Sequence, residues 1–191
     1  EADRWQYMHV VPGENSGYTL NANWINANSW RGPYSLAEAY FPIVRKDNLG
    51  GEFNELRLHP SAPGTDVKSA AVIGWKNLCP DEVLATASFS VTDRAGEYGD
   101  GVEYWLFRTG DDDPLAHGLI NNGGSTPTIL AEDIWVASGD MLYLQIGPRG
   151  SYDADLTGIH FSVTTIPEPA SVALLATALM GMLAVTWRRR K

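Results

Sequence analysis

The stretch from Val83 to Val91, VLATASFSV, alternates: Val83, Ala85, Ala87, Phe89 and Val91 fall on one side, Thr86, Ser88 and Ser90 on the other. A period of two is the signature of a strand with one buried face, since successive side chains point to opposite sides of a sheet. No helix can bury those five residues together. The same period recurs along the chain. GVEYWLFR groups Val102, Tyr104 and Leu106; DMLYLQIGP groups Leu142, Leu144 and Ile146; TGIHFSVTT groups Ile159, Phe161 and Val163. EFNELRLHP places Phe53, Leu56 and Leu58 inward after a small irregularity, AAVIGW is a short apolar run, and TPTILAEDIWV and RWQYMHVV hold further strands. Between them lie DRAGEYGDG, TGDDDP, NNGGS, ASGD and GPRGSYDAD, clusters of turn-forming Gly, Asp, Asn and Pro. Strands at this spacing with no helical period between them predict an all-β fold: an antiparallel β-sandwich of the jelly-roll kind.

The first fifty residues are less regular. NANWINANSWRGPYS reads as loops and short strands, and SLAEAYFPI as one short helical turn before Pro42. A chain of 191 residues suits one domain with a real core, and 44% hydrophobic residues exclude a wholly disordered one. The single cysteine, Cys79, cannot form an intramolecular disulfide and reads as a small, partly buried residue.

The end of the chain has another character. After Thr165 comes IPEPASVALLATALMGMLAVTWRRRK. Ala170 to Trp187 is 18 residues without a formal charge. As a helix rising about 1.5 Å per residue it spans roughly 27 Å, close to a hydrocarbon core of about 30 Å. Pro169 stands where a helix start tolerates proline. Arg188, Arg189, Arg190 and Lys191 would stay cytoplasmic, which puts the β-domain in the periplasm. The chain therefore divides into a β-sandwich over 1–165, a Pro-Glu-Pro linker over 166–169, a transmembrane helix over 170–187 and a basic tail over 188–191. A buried C-terminal helix would need a larger core than this domain supplies. A permanent anchor is the other reading of the same run. The chain begins at Glu1 rather than Met, as a mature form with its signal peptide removed would.

The order Pro167-Glu168-Pro169, apolar segment, basic cluster resembles the PEP-CTERM sorting signal of Gram-negative bacteria. The resemblance covers about 26 residues. It implies an exported protein, held at the inner membrane by its tail and cleaved near the motif by an exosortase, an integral-membrane cysteine transpeptidase or protease. Such proteins end at the cell surface or in extracellular polysaccharide. In that reading Pro167, Glu168 and Pro169 are the recognition segment and Arg188–Lys191 set topology. Upstream, LRLHPS, AAVIGW, DGVEYWLF, SGDMLYLQIGP and YDADLTGIHFSV look like a jelly-roll module of exported bacterial proteins.

Formal net charge is −9; setting aside the four terminal cations leaves −13 on the residues before them. Such a body repels phosphate backbones and excludes a nucleic-acid partner. No Gly-x-Ser-x-Gly, His-Glu-x-x-His or P-loop is present, and His9, His59, His117 and His160 are scattered. The body reads as non-enzymatic. By residue type alone, Glu103, Glu132 and Asp133 are the carboxylates a polysaccharide hydrolase could use, but nothing in the sequence pairs them. No cofactor is implied. Calcium is the one cation that Asp111–Asp113, or Asp153 with Asp155, could take; solvated turn carboxylates are the plainer reading, and Asp100 and Asp140 read as turn formers. Trp24, Trp30, Tyr34 and Trp105 are the aromatics that could stack on sugar rings if the body were a carbohydrate-binding module; packing between the sheets or under a loop is the alternative for each.

Overall fold

The Val83–Val91 alternation forms the longest described strand, an interior strand of one sheet. The structure, a computed structural model, describes residues 4–20, 23–26, 29–31, 43–46, 56–60, 70–94, 99–150, 156–166, 177, 180 and 182. Its strands are β1 (Trp5–Val10), β2 (Thr19–Leu20), β3 (Asn23–Asn26), β4 (Ser29–Arg31), β5 (Ile43–Lys46), β6 (Leu56–His59), β7 (Ala70–Lys76), β8 (Val83–Asp93), β9 (Val102–Arg108), β10 (Ala116–Ile120), β11 (Ile129–Val136), β12 (Met141–Pro148) and β13 (Thr157–Ile166). They form two antiparallel sheets. One runs β10-β9-β12-β7-β1-β2, the other β11-β8-β13-β6-β5-β4-β3. From β7 onward the chain passes from one sheet to the other at β7–β8, β8–β9, β10–β11, β11–β12 and β12–β13. The all-β, two-sheet expectation is met.

Every second residue of β8 from Val83 to Asp93 is buried, and those between are half-buried. The buried set faces Val102, Tyr104 and Leu106 of β9, Leu142, Leu144 and Ile146 of β12, and Ala71, Ile73 and Trp75 of β7. Edge-to-face ring pairs join the sheets: Phe89 with Tyr104 at 5.6 Å, and Trp5 with Phe161 at 5.5 Å. The inward residues read from the sequence for these strands therefore meet in one core. Leu58 and Ile159 are fully buried there, with Leu56, Phe161 and Val163 half-buried beside them. Phe53 and the helical turn expected before Pro42 lie outside the described residues.

β12 departs from alternation, because all eight of its residues are buried. Its outer face is covered by the segment between β1 and β2. Tyr18 stacks on Tyr143 at 3.9 Å and 10°. Gln145, fully buried in mid-strand, accepts a hydrogen bond from the Gly13 amide and donates to the Glu14 carbonyl and the Tyr18 hydroxyl. Asn15 donates to the carbonyls of Arg108 and Asp111. Under this strap Met8, Val72, Trp105, Phe107, Met141 and Tyr143 make a second apolar cluster. A polar side chain in such a place costs more when unpaired than it contributes when paired, so its three partners are what make Gln145 tolerable.

Burial under the strap pushes the Tyr18 hydroxyl well above the usual tyrosine range, against the opposing effect of the Gln145 hydrogen bond. A group whose pKa is higher folded than unfolded stabilises the fold fully below the unfolded value, near 10, and loses that stabilisation as pH rises above it. Urea unfolding between pH 8 and 11 is therefore expected to show stability falling above about pH 10. Tyr18→Phe should lower stability at pH 8 and flatten the alkaline fall. A residual slope belongs to Tyr7, whose pKa burial also raises.

Candidate functional site at the C-terminal junction

β13 lies between β8 and β6, inside its sheet. Against β8 it is in register from Thr157↔Asp93 to Ile166↔Leu84, ten pairs without a break. The described strand runs to Ile166, and the residues that follow include Pro167 and Pro169, which have no amide hydrogen to donate to a ladder. Burial fades along the strand, from Thr157–Ile159, which are buried, to Thr164, Thr165 and Ile166, which are exposed. The Pro-Glu-Pro segment thus follows directly on a paired interior strand, with no spacer between fold and motif.

Pro167, Glu168, Pro169, Arg188, Arg189, Arg190 and Lys191 lie outside the described residues, as does most of the span expected over 170–187. Thr177, Met180 and Met182 have helical backbone and are exposed. Among the described residues no helix is long and apolar enough to cross a membrane.

The aromatic candidates separate. Trp24 on β3 and Trp30 on β4 are register partners in one hairpin; their side chains, and Tyr34 altogether, lie outside the description. Trp105 is only 8% exposed. Gly13 and Gly147 lie close enough that a Cβ on either would touch its ring, and His117 stacks on it at 5.4 Å. For Trp105 the packing alternative describes what is found, in its second form: the ring packs under a loop, the strap between β1 and β2.

The carboxylate candidates also stand apart. Glu103, on the outer face of the first sheet, meets His117 Nε2 at 2.6 Å. Glu132 and Asp133 sit on β11, at the edge of the other sheet, where the register slips between Ala131 and Ile134. Asp133 has φ 56°, a left-handed conformation that Asp tolerates better than most residues, and the pair forms a β-bulge. Bulges twist and blunt an edge strand. Asp111 is committed to Arg108, with Oδ1 at 2.6 Å from Nη2 and 3.1 Å from Nε, and this hydrogen bonding raises the guanidinium pKa further. Among the described residues no group of three or more His, Cys, Asp or Glu side chains could hold a metal; Asp153 and Asp155 lie outside them. Cys79 is half-buried, its amide donating to Asn77 Oδ1.

One feature of the junction escaped sequence reasoning. Ile166 is the register partner of Leu84, and Leu84 of Trp135, on the outer face of the second sheet. Trp135 is 44% and Ile166 60% exposed. The signal was present: Trp135 falls between Ile134 and Val136, which alternation turns inward.

Compared with known proteins, the chain matches the PEP-CTERM protein-sorting motif over residues 165–191. The match begins one residue before β13 ends. No curated protein matches the chain. A motif of this kind implies export, membrane anchoring through the C-terminus and an exosortase-type processing partner.

Proposed function

We propose, starting from the PEP-CTERM protein-sorting motif at 165–191, that this protein is an exported surface or matrix protein. A sorting enzyme releases its β-sandwich from the inner membrane. Segment 170–187 holds the chain in the bilayer, Arg188–Lys191 keep the tail end cytoplasmic, and the sandwich stands in the periplasm. Cleavage near Pro167–Pro169 then frees a folded body whose last strand is already paired. The nucleophile belongs to the enzyme, and the body has no catalytic task. One observation carries the reading: the motif begins within the last residues of a paired interior strand, so in sequence no spacer separates the recognition segment from the sandwich. Two others favour a body without chemistry. Glu103 is engaged by His117, and Glu132–Asp133 form an edge bulge on the opposite sheet.

Replacing Pro167, Glu168 and Pro169 with alanine is expected to leave full-length protein in the inner-membrane fraction of native cells and to abolish the released form. Mass spectrometry of both fractions measures this and locates the mature C-terminus. Release of a shortened product at the normal rate by the triple variant would sink the proposal.

A further inference from the structure

We infer that the row Trp135–Leu84–Ile166 is a lipid-facing foot, by which the anchored sandwich rests on the zwitterionic headgroup region of the bilayer. This rests on the reading that residues 170–187 insert. Neighbouring strands lie about 4.8 Å apart, so the row is roughly 10 Å across. It ends at Ile166, four residues before the apolar segment. Those four residues reach at most about 14 Å, so the row cannot be far from the bilayer surface when the tail is inserted.

On β8 and β13 the apolar character is confined to this end of the sheet, while on β11 Leu130, beside Ser88, is also exposed. The next outward positions along β8 and β13 are hydroxyls, Thr86 with Thr164 and Ser88 with Ser162. Trp135 is held in place: its carbonyl accepts a hydrogen bond from Arg108 Nη1 at 2.8 Å. Its indole is the side chain that partitions best at the boundary between headgroups and acyl chains. Leu78, 47% exposed, adds apolar surface in the loop between β7 and β8 at the same end. Asp81 and Glu82 in that loop are exposed too. They oppose an anionic surface, which is why the partner is a neutral one.

The test uses the full chain in phosphatidylcholine vesicles. Cys79→Ser removes the native thiol, and single cysteines carry a nitroxide at position 135, at position 180 in the tail, or at position 119. Leu119 is 55% exposed on the other sheet. Collision with oxygen and with a water-soluble nickel chelate is read by spectral broadening. A label at 135 should lose nickel broadening and gain oxygen broadening on reconstitution, while one at 119 stays water-exposed. In vesicles rich in phosphatidylglycerol at low salt, the change at 135 should shrink. If 180 reports acyl chain while 135 remains as wet as 119, the foot is overturned and the anchoring reading stands. If Trp135 and Leu84 substitutions slow processing in cells without any lipid contact at 135, the row faces the sorting enzyme instead, and the inference is likewise wrong. If 180 is itself wet, both readings fall.

Discussion

Asn77→Ala is expected to cost about 3–5 kcal/mol of folding stability, enough to lower the melting temperature of a chain this size by roughly 10 °C or more. Asn77 is 1% exposed, just after β7. Its Nδ2 donates to the carbonyls of Asp81, Val136 and Ala137, and its Oδ1 accepts from the Cys79 amide. Its own amide donates to the Asp140 carbonyl and its carbonyl accepts from Gly139. One side chain therefore clamps the β7–β8 loop to the β11–β12 turn, across the two sheets. Alanine keeps the backbone bonds but strands at least three partners in a place water reaches poorly, and stranded groups carry the larger penalty. Asn77→Asp separates electrostatics from packing. It is isosteric and keeps the acceptor for Cys79, yet it turns a carboxylate toward three carbonyl oxygens. Its folded pKa should be raised, so its stability should fall as pH rises above about 4 and approach that of alanine, or lower, at neutral pH. Thermal and urea unfolding of the three proteins measures this. A loss under about 1 kcal/mol for Asn77→Ala would show that the clamp is not what joins the two loops.

The second large effect is expected at Gly101. Its φ of +99° lies where side chains are rarely found, and an added Cβ would overlap the Ile120 carbonyl oxygen, a backbone atom of the paired strand β10. Strain and overlap act together, so Gly101→Ala should cost about 3 kcal/mol or more and open the β9–β10 edge. Gly74→Ala is the informative contrast. Its Cβ would meet the terminal methyls of Met141 and Met8 at 2.5 and 2.6 Å, but those are the ends of flexible thioether chains that can swing aside. Its cost should stay below about 1.5 kcal/mol. Urea unfolding midpoints at constant slope compare the two. Equal losses would mean that crowding at a glycine matters here irrespective of what crowds it.

Strands buried on one face were legible because alternation is a local property. Val83–Asp93 follows its pattern residue for residue. Where a second layer covers a sheet, alternation underreports burial. Gln145 and Tyr143 read as solvent-facing, and what buries them is a strap more than 120 residues earlier in the chain. The same cover hides Trp105, which residue type and position had offered as a sugar platform. β10 gave no strand signal because its inward residues are Ala116, Gly118 and Ile120. Gly118 reads as a break, yet it is the one residue that leaves room for the Tyr104 hydroxyl. The motif, by contrast, was readable in full from Pro167 onward, since length, apolarity and terminal charge need no tertiary partner. The exposed row beside it was not, because it exists only when β11, β8 and β13 lie side by side.

That β13 carries the tail has a mechanical side. Ladder hydrogen bonds run across strands, so a tug on residue 167 directed along β13 loads the bonds to β8 in parallel rather than one at a time. A strand at the sheet's edge, pulled outward, would peel. This one is gripped along its whole length by β8 and from Thr157 to Ile159 by β6. The handle by which the protein would be gripped at the membrane is fastened to a strand paired along its whole length, and traction on it is borne in shear.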